Sequence, residues 1–344
     1  MHPINLRSDT QTLPTAAMLD AIATAPLGDD TYDEDPTVTR FEALAAQHMG
    51  TEAALLVPSG HMANLIALMV HAKPGDEVVL DVDSHIHYYE VGSLASIAGL
   101  MPWALPSHDG CLDPDEVAAA IRGRDLHYPH PRVLCLENTH NRSGGRVVPL
   151  DRHRALCQLA HDRELAVHLD GARIFNAAVA AGVPVTDYTQ HVDSVMFCLT
   201  KGLSCPLGSV LASSRDFIHR ADEVRRRLGG GLRQAGIIAA PGIVALEHMT
   251  GRLAEDHAHA RRLAEGLADA PGLAVDLATV ETNMVYADHR GSGMSTEAVT
   301  QRLAQAGVVV SGRPPHQIRL VTNRHHDAAT IDEAVRRIKT AMGG

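Results

Sequence analysis

Two residues combine the right type with the right setting for chemistry. Lys201 follows the apolar run "SVMFCLT" and Asp170 closes the run "LAVHL", with room between them for one helix and the next strand. A lysine at the end of a buried strand is costly to desolvate unless it is paired or used covalently, and its amine can hold an aldehyde as an imine. A carboxylate at a neighbouring strand end can keep a ring nitrogen protonated. Each also has an ordinary structural reading, Asp170 as a helix N-cap with Arg173 as its ion-pair partner and Lys201 as a paired strand-end cation.

In open α/β sheets ligands bind beyond the carboxyl ends of the strands, so the other polar residues at those ends matter: Ser59-Gly60-His61, His85 and Glu137-Asn138-Thr139-His140. A Schiff-base lysine, a carboxylate, an aromatic ring and a Gly-containing turn that opens a helix are the parts of a pyridoxal phosphate site. The turn's N–H groups and the helix dipole suit the phosphate. Singly these signals are weak; their order and spacing carry the reading.

The elements that must position them alternate. "VTRFEALAAQHM" (38–49) has helical apolar spacing, "AALLVPSG" reads as a buried strand ending in a turn, and "HMANLIALMVHA" as a helix. "DEVVLDVDSH", "LMPWALP", "RVLCLENTH", "LAVHLD", "SVMFCLTK" and "GSVLASS" read as further strands, and "EVGSLASIAG", "DPDEVAAAIR" and 151–164 as helices. Continuous rather than alternating hydrophobicity indicates strands covered on both faces, hence a mostly parallel central sheet. Long helical patterns run from 215 to 270. The segments from "TNMVYAD" to "TIDEAVRRIKTAM" then spell a small terminal α/β unit. The expected division is a large cofactor-binding domain over 1–250, N-terminal arm included, and a small α/β domain over 251–344.

Composition narrows the function classes. A net charge of −11 opposes general nucleic-acid binding, which needs a positive field. No apolar run reaches the ~18–20 residues of a membrane span and the N-terminus lacks a basic, then apolar leader, so a cytoplasmic protein is expected. The five cysteines are odd in number and scattered, which suggests neither a disulfide framework nor a zinc knuckle. The closest histidine pairs, His85/His87, His257/His259 and His325/His326, lack the i, i+3 or i, i+4 spacing of helical metal ligands, and no metal is expected.

Seven ordered blocks then carry a resemblance over nearly the whole chain: "LRSDTQTLP" (6–14), "GDDTYDEDPTV" (28–38), "PSGHMANL" (58–65), "LENTHN" (136–141), "HLDGARIFN" (168–176), "CLTKGLSCPLGS" (198–209) and "GGGLRQAG" (229–236). They resemble the L-threonine aldolases of the low-specificity and allo-threonine type, fold-type I pyridoxal phosphate enzymes. The resemblance implies that Lys201 carries the cofactor, Asp170 pairs with its ring nitrogen and His85 stacks on its face. Ser59, Gly60 and His61 fall on the phosphate turn, and Arg233 matches an arginine reaching the phosphate from a neighbouring subunit. Ser8, Arg173 and Arg319 match the groups that hold the substrate carboxylate. His127 matches a histidine near the substrate hydroxyl, and Tyr32 a loop bordering a neighbour's site. His127 has a surface-loop reading of equal standing, and Arg319 one as an edge-strand charge. Two departures stand out: His61 replaces the usual threonine, and Ser204-Cys205 the commoner Gly-Ala.

The implied reaction is retro-aldol cleavage of L-threonine, L-allo-threonine and related β-hydroxy amino acids to glycine and an aldehyde. His85 is the first choice for the base that takes the β-hydroxyl proton and His127 the second. The same lysine, carboxylate and phosphate turn would also serve transaldol, β-elimination or aminotransfer chemistry, and a non-catalytic binding scaffold is the reading from a different class. The shared-site blocks imply a homo-oligomer, a dimer at least and by preference a tetramer of two dimers.

Overall fold

The computed structural model describes residues 3–123 and 125–343. Its centre is a seven-stranded sheet built from β2 (Ala53–Val57), β3 (Glu77–Asp81), β4 (Met101–Leu105), β5 (Pro131–Glu137), β6 (Ala166–Asp170), β7 (Ser194–Cys198) and β8 (Ser209–Ser213), preceded in the chain by β1 (Ile4–Asn5). The spatial order is β2-β8-β7-β6-β5-β3-β4. β8 is antiparallel to both neighbours and the remaining pairs are parallel, so every other strand of this sheet points one way. The carboxyl ends of β2, β3, β5, β6 and β7 therefore open on one side, where the candidate residues were expected.

The apolar strands are continuous because alternate residues feed opposite layers. Leu56, Val79, Leu134 and Phe197 pack with Phe41, Leu156 and Ile174 on one face. Leu55, Met196 and Cys198 face Ala63, Ile66 and Phe217, from the helices Gly60–His71 and Arg215–Arg227, on the other. The stretch 90–99 departs from its helical pattern. Only Ser93–Ser96 is helical, because Val91 and Gly92 both take positive φ and break the helix at its start.

β9 (Met284–Asp288), β11 (Ser311–Arg313) and β12 (Gln317–Val321) form an antiparallel sheet in the order β11-β12-β9, and β10 (Val308–Val309) pairs in parallel with β1. Ile4 and Leu6 consequently sit in the second core, with Leu263, Val285, Ile318 and Ile338. The sequence grouped this arm with the first 250 residues; β-pairing at a great sequence distance moves its first strand onto the C-terminal unit. Among the described residues no helix is long and apolar enough to cross a membrane.

Candidate active site

Two cavities meet at Lys201. The inner one, of about 240 Å³, is walled by Gly60, His61, Asn64, His85, Glu137, Thr139, Asp170 and Lys201. Asp170 ends β6 almost fully buried, accepting from Asn64 Nδ2 at 2.9 Å and from the Ala172 amide at 3.1 Å. Lys201 stands just past β7, its Nζ 3.1 Å from Cys198 Sγ and its carbonyl held by Thr12 Oγ1 at 2.9 Å. His85 follows β3. Its backbone N–H donates to Glu137 Oε2 and its Nδ1 lies 3.0 Å from Glu90 Oε1. Burial opposes charge on the His85 imidazole, but the Glu90 hydrogen bond and the carboxylates of Asp170 and Glu137 lift its pKa above the usual histidine value. Burial pushes the Glu137 carboxyl up as well. One polar atom each of His85, Glu90 and Asp170 lies within 4.8 Å of the others, so these are the side chains that could gather round a cation.

The outer cavity, of about 230 Å³, shares His85, Arg173 and Lys201 and adds Ser8, Tyr89, Arg313 and Arg319. Its character is cationic. Arg173 is buried and gives two of its N–H groups to Asp9, at 2.6 and 2.7 Å. Burial alone would raise the Asp9 carboxyl, yet the guanidinium holds it far below the usual range. Arg319, on β12, donates to Asn141 Oδ1 at 2.8 Å and to the Arg7 carbonyl at 3.1 Å. Burial and the neighbouring Arg173 and Arg313 depress its pKa, and its Nε is buried without a hydrogen-bond partner among the described residues. Three arginines and a lysine against one carboxylate make a site short of negative charge, which suits a carboxylate ligand.

The structure thus brings together Lys201, Asp170, His85, Gly60, His61, Arg173, Arg319 and Ser8. Ser59 is exposed and caps the helix Gly60–His71, accepting from the Met62 amide at 3.2 Å. Tyr32 and Arg233 line neither cavity. They belong to one exposed patch, where Arg233 pairs with Asp29 at 3.2 Å and its carbonyl accepts from Asp30. His127 is not brought to the site: its side chain is 83% exposed and bonded to Asp125 at 2.7 Å, so its expected approach to the substrate hydroxyl is not met within this chain. His61, the first departure, spends Nε2 on Ser93 Oγ at 2.8 Å. Of the second, Ser204 takes the left-handed φ of +66° that a glycine would take freely, and the Cys205 thiol, which lines neither cavity, is buried against the Pro241 carbonyl and pushed up to about 12 by that burial.

Asp9, Asn64, Tyr89, Glu90 and Arg313 were not singled out from the sequence. Asp9 and Asn64 lie inside quoted blocks, but nothing local separates an acid that binds an arginine from one that caps a turn.

A family model described as beta-eliminating lyase matches residues 5–290. The chain is 43% identical over 337 residues to low-specificity L-threonine aldolase 1 of Arabidopsis thaliana, covering 96% of this chain and 94% of the relative. It is 41% identical over 321 residues to the low specificity L-threonine aldolase of Escherichia coli strain K12, covering 93% of each. The chain belongs to the low-specificity L-threonine aldolase family. This aldolase family is pyridoxal phosphate-dependent. Among solved structures, a Leishmania major threonine aldolase matches with a TM-score of 0.86 at 18% identity, covering 99% of this chain and all of that one. A Sphingomonas wittichii serine palmitoyltransferase matches at 0.78 and 18%, covering 99% and 88%. Those likenesses speak for the fold, which is fold type I.

The residues fit the cofactor of the aldolase family. Gly60 opens a helix at the wall of the inner cavity, and a Cβ there would meet Cys198 Sγ at 2.8 Å and Met196 Cε at 2.9 Å, so a larger residue would displace side chains of that same wall. Thr139 Oγ1, in the same wall, is buried without a hydrogen-bond partner among the described residues.

Proposed function

We propose that this chain cleaves L-threonine, L-allo-threonine and related β-hydroxy amino acids to glycine and an aldehyde. The observation that carries the reading is the junction of an acid-walled inner cavity and an arginine-walled outer cavity at one lysine. The bound pyridoxal phosphate supplies an aldehyde for an amine and a ring that accepts electrons from a breaking bond.

Lys201 would carry the cofactor, Asp170 would hold its ring nitrogen protonated, His85 would cover its face, and the Ser59-Gly60-His61 turn would receive the phosphate. Arg173 and Arg319, with Ser8, take the substrate carboxylate. That grip would fix the orientation of the substrate's Cα and so select which of its bonds breaks. His85 accepts the β-hydroxyl proton at Nε2, because its Nδ1 is engaged by Glu90. Chain segments 1–250 and 251–344 act as cofactor-binding and C-terminal units, the latter supplying Arg319 and docking β1.

Tyr32 and Arg233, which line neither of this chain's cavities and are linked to one another through Asp29 and Asp30, complete the site of a neighbouring subunit. We therefore take the working form to be a homo-oligomer, a tetramer of two dimers by preference. Five unpaired cysteines agree with a reducing compartment such as the cytoplasm.

Incubation with each L-diastereomer tests the reaction. Glycine and acetaldehyde in equal amounts are expected. A keto acid instead would favour β-elimination, the second reading, which the description of the matching family model supports.

A further inference from the structure

The layer between the central sheet and the helix Gly60–His71 is largely apolar, packed from Ala63, Ile66, Ala67 and Met196, and a hydrogen-bonded polar seam crosses it. His168 and Asp170 project from the same face of β6, and Ser194 of β7 is the register partner of His168. Asn64 and His71 lie two turns apart on the facing helix. Placing these groups in an apolar layer costs free energy that their mutual hydrogen bonds only offset, so the seam calls for a role beyond packing.

Its hydrogen bonds run in one sense. Burial pushes His71 down to about 3 and His168 to about 4, so each ring carries one proton. His168 Nε2 lies 3.0 Å from Asn64 Oδ1, an acceptor, and therefore holds the proton. His168 Nδ1 then accepts from Ser194 Oγ at 2.8 Å, and Ser194 Oγ accepts from His71 Nε2 at 2.7 Å. The amide of Asn64 is thereby fixed with both N–H groups toward carboxylates, Asp170 Oδ2 at 2.9 Å and Glu90 Oε1 at 2.8 Å. Glu90 Oε1 is also the atom that His85 Nδ1 reaches.

We propose that Asn64 is a positioning residue that ties the carboxylate behind the cofactor ring, Asp170, to the carboxylate behind the base, Glu90, and that His168 sets the sense of its amide. Two buried carboxylates this close repel, and a donor shared between them offsets that repulsion and holds both in place. Asp170 shifted from this place would hold the ring nitrogen less well. Glu90 shifted from it would release His85. One side-chain amide thus serves the electron sink and the base together. The proposal rests on the cofactor and base assignments made above.

The test uses the holoenzyme and reads the pH midpoint of the visible absorbance of the lysine-bound cofactor. Loss of the Asn64 donor would loosen the Asp170 carboxylate from its place behind the ring, so the midpoint should move to higher pH, by about one unit for a tenfold change in proton affinity. The titratable neighbours of Lys201, namely Cys198, Asp9, Arg173, Asp170, His85 and Glu137, stay in place. In Asn64→Ala we expect kcat to fall about tenfold to a hundredfold, the worth of a hydrogen bond to a charged group, with KM changed less than about threefold. The losses in Asn64→Ala and Glu90→Gln should be less than multiplicative when combined, as for residues acting through one contact. His168→Leu should shift the midpoint the same way, and His168→Gln, which keeps an N–H donor, should restore it. Should Asn64→Ala lose its fold, Asn64→Ser and His168→Leu are read in its place. An unmoved midpoint in a folded variant, or fully multiplicative losses, overturns the proposal. The absorbance needs only bound cofactor, so the two claims fail separately. A shifted midpoint in an enzyme that does not cleave threonine removes the reaction assignment alone, and threonine cleavage with no shift removes the clamp alone.

Discussion

The two cavities that meet at Lys201 are made in opposite ways. The inner one is cut into the carboxyl edge of a mostly parallel sheet and carries the buried acids Asp170 and Glu137, with Glu90 directly behind His85. The outer one lies between that edge, the N-terminal arm and β12, and carries Arg173, Arg313 and Arg319. Opposite charge on two sides of one amine sorts a zwitterionic problem. The acid side suits a protonated ring nitrogen, and the basic side suits the carboxylate of an amino acid. The acid side is built from strand ends and one helix, whereas the basic side depends on three segments far apart in sequence.

Substitutions on the two sides should therefore fail differently. Lys201→Ala removes the group both sides share and should abolish turnover and the visible absorbance of bound cofactor. Retention of that band after dialysis, with borohydride still fixing cofactor to the chain, would mean that another lysine is the anchor. Asp170→Asn should keep the band yet lower kcat by about a hundredfold, the scale set by removing one preorganised electrostatic partner. Near-normal turnover would take Asp170 out of its role.

On the basic side, Arg319→Ala should raise KM for threonine by about tenfold or more, as expected for losing one charge-assisted contact, while cofactor affinity measured by fluorescence quenching stays within about twofold. A change confined to cofactor affinity would reverse the assignment of the two cavities. The pH profile sharpens the comparison further. His85 holds its proton more tightly than an ordinary histidine, so as a base it works only above that raised pKa, and the acid limb of kcat/KM should lie above 6.5. Glu90→Gln removes a carboxylate that favours the charged ring and should move the limb to lower pH. The same sign applies to stability: what the pair contributes is present at acid pH and lost as pH rises through the His85 pKa. Smallest of all, His127→Ala should change kcat/KM by less than about threefold, as for an exposed substitution. A larger loss would mean that its loop folds over a site in the assembled enzyme.

How much could be read in advance follows from the range of the interactions. Lys201, Asp170 and His85 were legible because each follows an apolar run of strand length, and strand ends on one edge of a parallel sheet converge. Asn64 was hidden inside a helix that reads as apolar, and its bond to Asp170 spans 106 positions. Glu90 was hidden in a stretch with helical spacing that the positive φ of Val91 and Gly92 interrupts. The pairing of Arg173 with Asp9 spans 164 positions. The sequence offered the ion pair Asp170–Arg173 as the simple reading of "DGAR", and the fold gave the arginine to Asp9 and the aspartate to Asn64 instead.

By itself the sequence determined the succession of strands and helices, the edge on which ligands bind, and the chemical types waiting there. These follow from periodicities of two and 3.6 residues and from turn chemistry, all of which act within a few positions along the chain. Only the tertiary structure decided that β8 runs against its neighbours, that β1 joins β10, that His127 stays outside, and which acid faces which base. Those outcomes depend on strand order and on layers packed across hundreds of positions, where side chains of the same type compete for one partner and the geometry of the sheet selects among them.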